Sequence, residues 1–212
     1  MEYAIFFPVL IMSIVIHEVA HAWQARREGD FTADQLGRIT LNPIPHLDLV
    51  GSVLLPLVLI LTQSSVFFGW AKPVPVNPSN FRELKAGDIR VSMAGIVSNL
   101  GLAVIFTLLG AVLMAVGVND VTVVGIFVCR MAILVNLMLA FFNLIPIPPL
   151  DGSHVVYRLL PPRLAEHYHQ AGRYGFLLIL GLVFFFRDAL MFLLAPVFML
   201  SDAATWFMRL WI

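Results

Sequence analysis

The sequence predicts an all-α polytopic membrane protein, with about four to six transmembrane helices and a re-entrant or extended segment near residues 48–80. Composition carries the class. Of 212 residues, 60% are hydrophobic and 12% charged, whereas a soluble domain has about 25% charged and 45–50% apolar residues. Run length agrees, because several apolar stretches reach the roughly 20 residues that a crossing needs. No repeat, low-complexity tract or linker divides the chain. It reads as one domain over 1–212, with a core at 3–160 and C-terminal membrane helices at 172–210.

The first apolar run covers residues 3–24. Its leading "ME" has no Lys or Arg, so it reads as a retained first helix and not as a cleaved signal, despite the small-residue pattern Ala20–His21–Ala22. The second, "DLVGSVLLPLVLILTQSSVFF" at 48–68, contains Pro56 and leads into the Gly/Pro-rich "FGWAKPVPVNPSNFRELKAGD". The third, 91–118, is uncharged, and the fourth, 121–148, carries Arg130. A polar stretch at 151–173 precedes an aromatic-rich run at 174–200 that Arg187–Asp188 interrupts.

Basic residues give an orientation. Arg26, Arg27 and Arg38 follow run one; Lys72, Arg82, Lys85 and Arg90 precede run three; Arg158, Arg163 and Arg173 follow run four. All three groups are expected on the cytoplasmic side, with the N-terminus outside. Run two then cannot cross once. Either it dips in and returns or the charge rule fails for one loop, and its prolines favour a re-entrant path buried in protein. Zero net charge and the absence of a basic tract argue against a nucleic-acid partner. The single cysteine, Cys129, excludes an intrachain disulfide and a cysteine-based zinc site.

The chemistry begins at "IVIHEVAHAW", residues 14–23. His17 and His21 lie one helical turn apart on one face and can reach the same metal ion. Glu18 faces aside, where a general base would hold a water. Three such groups are costly in hydrocarbon without a task, and their spacing is that of a zinc metalloprotease. The bland alternative is a pair of packed histidines bonded to Glu18. A catalytic zinc needs a third protein ligand and an open position. "FNLIPIPPLDGSH" at 142–154 offers Asp151, behind prolines 146, 148 and 149 that stop the helix. His154 and the pair His46/Asp48 are rivals, and Asp151 could simply cap a helix. Asn99 and Asn143 read either as amides bonding across helices or, for Asn143, as a donor to a developing oxyanion. Gly95, Gly101 and Gly110 read as close-packing positions. Residues 66–76, with their alternating prolines, could hold an extended peptide by strand addition through Phe68, Gly69, Trp70, Lys72 and Pro73; the alternative is a loop that only packs.

"HEVAH", "FGWAKPVPVNP", "AGIVSN" and "FNLIPIPPLDG" together resemble the site-2 protease family of intramembrane zinc metalloproteases, in its compact prokaryotic form, from about residue 10 to 160. The resemblance implies a catalytic core of three helices, one catalytic Zn2+ held by His17, His21 and Asp151, and Glu18 as base. It implies an oxyanion or carbonyl contact at Asn143 and a place beside the catalytic centre for Asn99. It also implies a membrane-spanning protein substrate, a prokaryotic cell membrane and a site towards the cytoplasm. Leu150 stands where the family usually has proline, so the backbone before Asp151 is expected to differ. A metal-ion transporter using the same three ligands, and an inactive relative that only binds membrane helices, are the competing functions. Glu18 speaks against the first, and the intact ligand set against the second.

Overall fold

The computed structural model describes residues 2–62, 69–117 and 119–211. The architecture is all-helical and membrane-spanning, and among the described residues there is no strand. Helix α1 (Glu2–Glu28) is the first span. It ends at Gly29, whose φ of 110° lies in the left-handed region that glycine adopts without penalty. The short α2 (Thr32–Gln35) follows. Asp48 then caps a widened helical turn, Leu49–Leu54, by accepting the Val50 and Gly51 N–H groups, and this turn runs into α3 (Leu55–Leu61). Residues 69–77 are extended and lead to α4 (Leu84–Val116). At 1.5 Å per residue α4 is about 50 Å long, so its first turns, with Lys85, Asp88 and Arg90, project beyond an apolar layer of about 30 Å. Asn119 opens α5 (Asp120–Leu144) with a reciprocal cap to Thr122.

Prolines at 146, 148 and 149 separate α5 from α6 (Asp151–Leu159). Beyond it come α7 (Pro162–Ala171), α8 (Gly175–Phe184), α9 (Arg187–Leu193) and α10 (Ala195–Arg209). Among the described residues, three helices, α1, α4 and α5, are long and apolar enough to cross a membrane. The stretch Pro162–Phe184 with α9 makes a fourth span if counted as one, although the chain bends there by 98°. The expected four to six thus meets the molecule at its lower end. Arg187 and Asp188 restart a helix in a new direction instead of letting run 174–200 continue.

The path of residues 29–83 answers the orientation problem set by the basic residues. Arg82 N–H donates to Glu28 O at 2.9 Å, and the Arg90 guanidinium grips both Glu28 oxygens at 2.7 Å. Buried Asp30 accepts from Asn77 N–H at 2.7 Å and from Asn80 Nδ2 at 2.8 Å. The chain therefore leaves α1 and enters α4 at the same end.

Lipid is as apolar as leucine, so helices within it associate through small residues and polar bonds. Ala103, Ala111, Cys129, Ile133 and Leu137 bring α4 and α5 together, with Val197 and Met208 of α10 on top. Gly110 lies under the Met208 side chain, as its close-packing reading requires, whereas Gly101 has nothing within 4 Å of its would-be Cβ.

Candidate metal centre

Helix α1 presents His17 and His21 inward, both buried, their rings edge to face at 84°. Helix α6 begins at Asp151, and its first turn carries that carboxylate to the imidazole pair. Asp151 Oδ2 lies 3.2 Å from His17 Nε2 and 3.3 Å from His21 Nε2, and the two Nε2 atoms are 3.0 Å apart. Both outer ring nitrogens are engaged. His17 Nδ1 donates to Asn99 Oδ1 at 2.5 Å, and His21 Nδ1 donates to Val91 O at 2.7 Å. The Nε2 lone pairs are left facing inward.

The residues fit a four-coordinate cation on three observations. Asp151 Oδ2 is buried and has no hydrogen-bond donor. The mutual distances of 3.0–3.3 Å match the roughly 3.3 Å edge of a tetrahedron with metal–ligand bonds of about 2.0–2.1 Å. Gly95 faces the cluster, and a Cβ there would stand 2.5–2.6 Å from both Nε2 atoms and His17 Cε1, so only hydrogen leaves room for an ion. Among the described residues, His17, His21 and Asp151 are the one group of this kind.

The rivals for the third ligand are bonded to other partners, although His154 lines the same cavity as the cluster. His154 Nδ1 faces Asp88 Oδ1 at 3.5 Å, and the Asp88 hydrogen bond raises its pKa against the lowering effect of burial. Arg158 Nε closes the same carboxylate at 2.5 Å. His46 Nε2 bonds to Thr40 O at 3.0 Å, and Asp48 is a helix cap. The Asp88–His154–Arg158 trio went unread in the sequence. Its only signal is an acid seven residues before the GxxxN glycine, on α4.

Glu18, His17, Asp151, Asn143, Pro73 and Val74 share one cavity of about 610 Å³. Glu18 Oε2 accepts Val74 N–H at 2.8 Å, so the extended segment roofs the site and holds its carboxylate. Asn143 lines the cavity with its amide donating to Leu139 O at 2.9 Å. Asn99 is fully buried behind His17 and touches that imidazole, not the cavity.

Of the expected substrate-holding residues, Gly69, Trp70 and Pro73 line the cavity. Lys72 does not: its side chain is exposed, and its backbone is tied to His46 O and to the Arg38 guanidinium. Phe68 lies outside the described residues. Lys72 and Val74 N–H already bond inward, to His46 O and Glu18.

Comparison with known proteins agrees with this geometry. Residues 120–185 match peptidase family M50. The chain is 42% identical over 176 residues to the candidate zinc metalloprotease YwhC of Bacillus subtilis, covering 82% of this chain and 77% of that one. It is 29% identical over 177 residues to the candidate zinc metalloprotease Rip2 of Mycolicibacterium smegmatis, covering 82% of this chain and 64% of that one. No solved structure matches. With identity and coverage of that order along most of its length, the chain belongs to peptidase family M50, the site-2 proteases.

Proposed function

We propose that this protein is an intramembrane zinc endopeptidase that cuts peptide bonds in or near the transmembrane segments of membrane-anchored proteins. The observation that carries the reading is the convergence of two imidazole Nε2 atoms and one unsatisfied carboxylate oxygen in a cavity that Glu18 also lines. Zinc bound by His17, His21 and Asp151 would polarise a substrate carbonyl and acidify a water.

The chain's own residues do the rest. Glu18 accepts a proton at its carboxylate as water attacks the carbonyl carbon, then returns it to the departing amine nitrogen. The Val74 N–H keeps that carboxylate aimed into the cavity. Asn143 stands at the cavity wall, where its amide donor, released from Leu139 O, would meet the oxyanion. A second, apolar cavity of about 480 Å³, lined by Leu10, Ile14, Leu139, Phe142, Trp70 and Val183, adjoins the first and shares Ile14, Trp70, Leu139 and Phe142 with it. That continuity suits a substrate that arrives from lipid. The common end of the basic groups supports a site that faces the cytoplasm.

The test is cleavage of a model membrane substrate by the parent and by Glu18→Gln. Cleavage should vanish in Glu18→Gln while bound zinc stays at one equivalent. Undiminished cleavage by Glu18→Gln, or a parent that binds no zinc, overturns the assignment.

A further inference from the structure

The two histidines are oriented by different means. His21 Nδ1 rests on a backbone carbonyl, Val91 O, which can only accept. His17 Nδ1 rests on a side-chain amide, Asn99, which could present either its oxygen or its nitrogen. If the amide turned, its N–H would face His17 Nδ1, the imidazole proton would move to Nε2, and the metal-facing lone pair would be lost. Something must fix the sense of that amide.

The fixing groups lie deeper between the helices. Asn99 Nδ2 donates to Asn136 Oδ1 at 2.8 Å and to Ser13 O at 3.4 Å. Asn136 Nδ2 donates in turn to Ala132 O and to Ser13 Oγ, both at 2.9 Å. Asn99 and Asn136 are both 0% exposed, and Ser13 4%. The chain of bonds therefore starts on a backbone carbonyl, Ala132 O. A carbonyl only accepts, so Asn136 must turn its NH2 towards it and its oxygen towards Asn99. Asn99 must then turn its NH2 towards Asn136 and its oxygen towards His17. His17 must carry its proton on Nδ1. Two backbone acceptors set the sense of the relay: Ala132 O at 2.9 Å from Asn136 Nδ2, and Ser13 O at the longer 3.4 Å from Asn99 Nδ2.

We infer that Asn136 is a positioning residue of the metal centre: with Ser13 it forms a one-way hydrogen-bond relay, Ala132 O to Asn136 to Asn99 to His17, that holds the His17 tautomer whose Nε2 binds the metal. This rests on the zinc-protease reading for its purpose. Partners that orient a metal-bound histidine typically change metal affinity 10–100-fold when removed. Asn136 acts one bond further out, so an effect of about tenfold is expected from the same principle.

Two variants separate orientation from packing. Asn136→Leu keeps the volume and removes the relay. Asn136→Asp, neutral in so buried a place, keeps an acceptor for Asn99 and one donor for Ala132 O. Zinc affinity by chelator competition, the absorption spectrum of the Co(II)-loaded protein and Tm would be measured for both, beside the parent and Asn99→Leu. Asn136→Leu should lose about tenfold in zinc affinity and shift the Co(II) spectrum. Asn136→Asp should retain the parental spectrum and an affinity within about threefold, while Asn99→Leu should lose more than either. If Asn136→Leu lowers Tm but leaves affinity and spectrum parental, the amides only pack helices and the inference fails. It fails equally if Asn136→Asp is no better than Asn136→Leu. A parent that binds neither metal overturns the zinc reading itself, and the relay with it.

Discussion

Replacing Gly95 with alanine tests the shape of the metal centre with one methyl group. The new Cβ would stand 2.5 Å from His17 Cε1 and His21 Nε2, and 2.6 Å from His17 Nε2. Ordinary carbon contacts are about 3.5–4.0 Å, so the imidazoles would have to retreat by roughly 1 Å. Neither ring is free to do so. His17 is tied to Asn99 and His21 to Val91 O, and α1 is joined to α4 again where Asn99 meets Ser13. The rings sit on one side of the ion's place and the methyl would occupy that place. A 1 Å misplacement of reacting groups costs on the order of 10²-fold in rate, and a comparable loss in zinc affinity is about 2.7 kcal/mol. Zinc affinity by chelator competition and cleavage of a model substrate both read the effect. A Gly95→Ala protein with zinc affinity and rate within twofold of the parent would refute the placement of the cation between Gly95, the imidazoles and Asp151.

The other expectations follow from single contacts. Gly152→Ala puts a Cβ 2.3 Å from Leu144 O and 2.6 Å from Leu144 C; backbone cannot yield as a side chain can, so α6 must part from the end of α5 and take Asp151 with it. Zinc content should fall and stability drop by about 1–3 kcal/mol, whereas Gly101→Ala, with nothing within 4 Å, should be neutral or gain up to about 1 kcal/mol in a thermal-melt comparison. At Asp30, burial raises the carboxyl pKa, but hydrogen bonds from the Thr32 hydroxyl, Asn77 N–H, Asn80 amide and Thr32 N–H outweigh it, and the folded value lies below the ordinary one. Its stabilising share is therefore full above the unfolded value of about 3.9 and is lost as pH falls through the lower folded value. Asp30→Asn should be less stable than the parent at neutral pH, with the gap closing in that acid window; parallel melting profiles down to acid pH would contradict the assignment.

Legibility followed the range of the interaction. His17, Glu18 and His21 sit within one turn and a half, so helical spacing alone grouped them. Asp151 is on another helix, and no spacing rule connects it to His17; residue chemistry left His154, His46 and Asp48 in contention until the family resemblance singled out the aspartate. The path of run two was legible in part. Charge parity required that 29–83 start and finish on one side, and Glu28, Asp30, Arg82 and Asn80 meet there. The inward bonding of Lys72 and Val74 was not legible, because extended backbone does not advertise which edge is taken. Gly95 read as a helix-packing glycine because nothing in sequence marks what lies across from it. Asn136 drew no notice for the same reason: an amide inside an apolar run has a meaning only through partners on α1 and α4. Asp88, His154 and Arg158 were hidden likewise, being assembled from two helices 66 positions apart at their acid and imidazole.

The same polar atoms serve assembly and chemistry here, and the membrane makes that economical. In water, α1, α4 and α5 would be pressed together by their apolar faces; in lipid that drive is largely absent, and the cohesion must come from close contact and from bonds such as Asn136 to Ser13 and Asn99 to His17. An unpaired polar group in that interior costs several kcal/mol, so evolution toward a stable three-helix core and toward a fully satisfied histidine shell are the same path. What breaks the pattern is Asp151 Oδ2, a buried carboxylate oxygen with no donor, set against two imidazole Nε2 atoms. Three acceptors crowded within about 3.3 Å repel one another unless a cation or a proton stands among them.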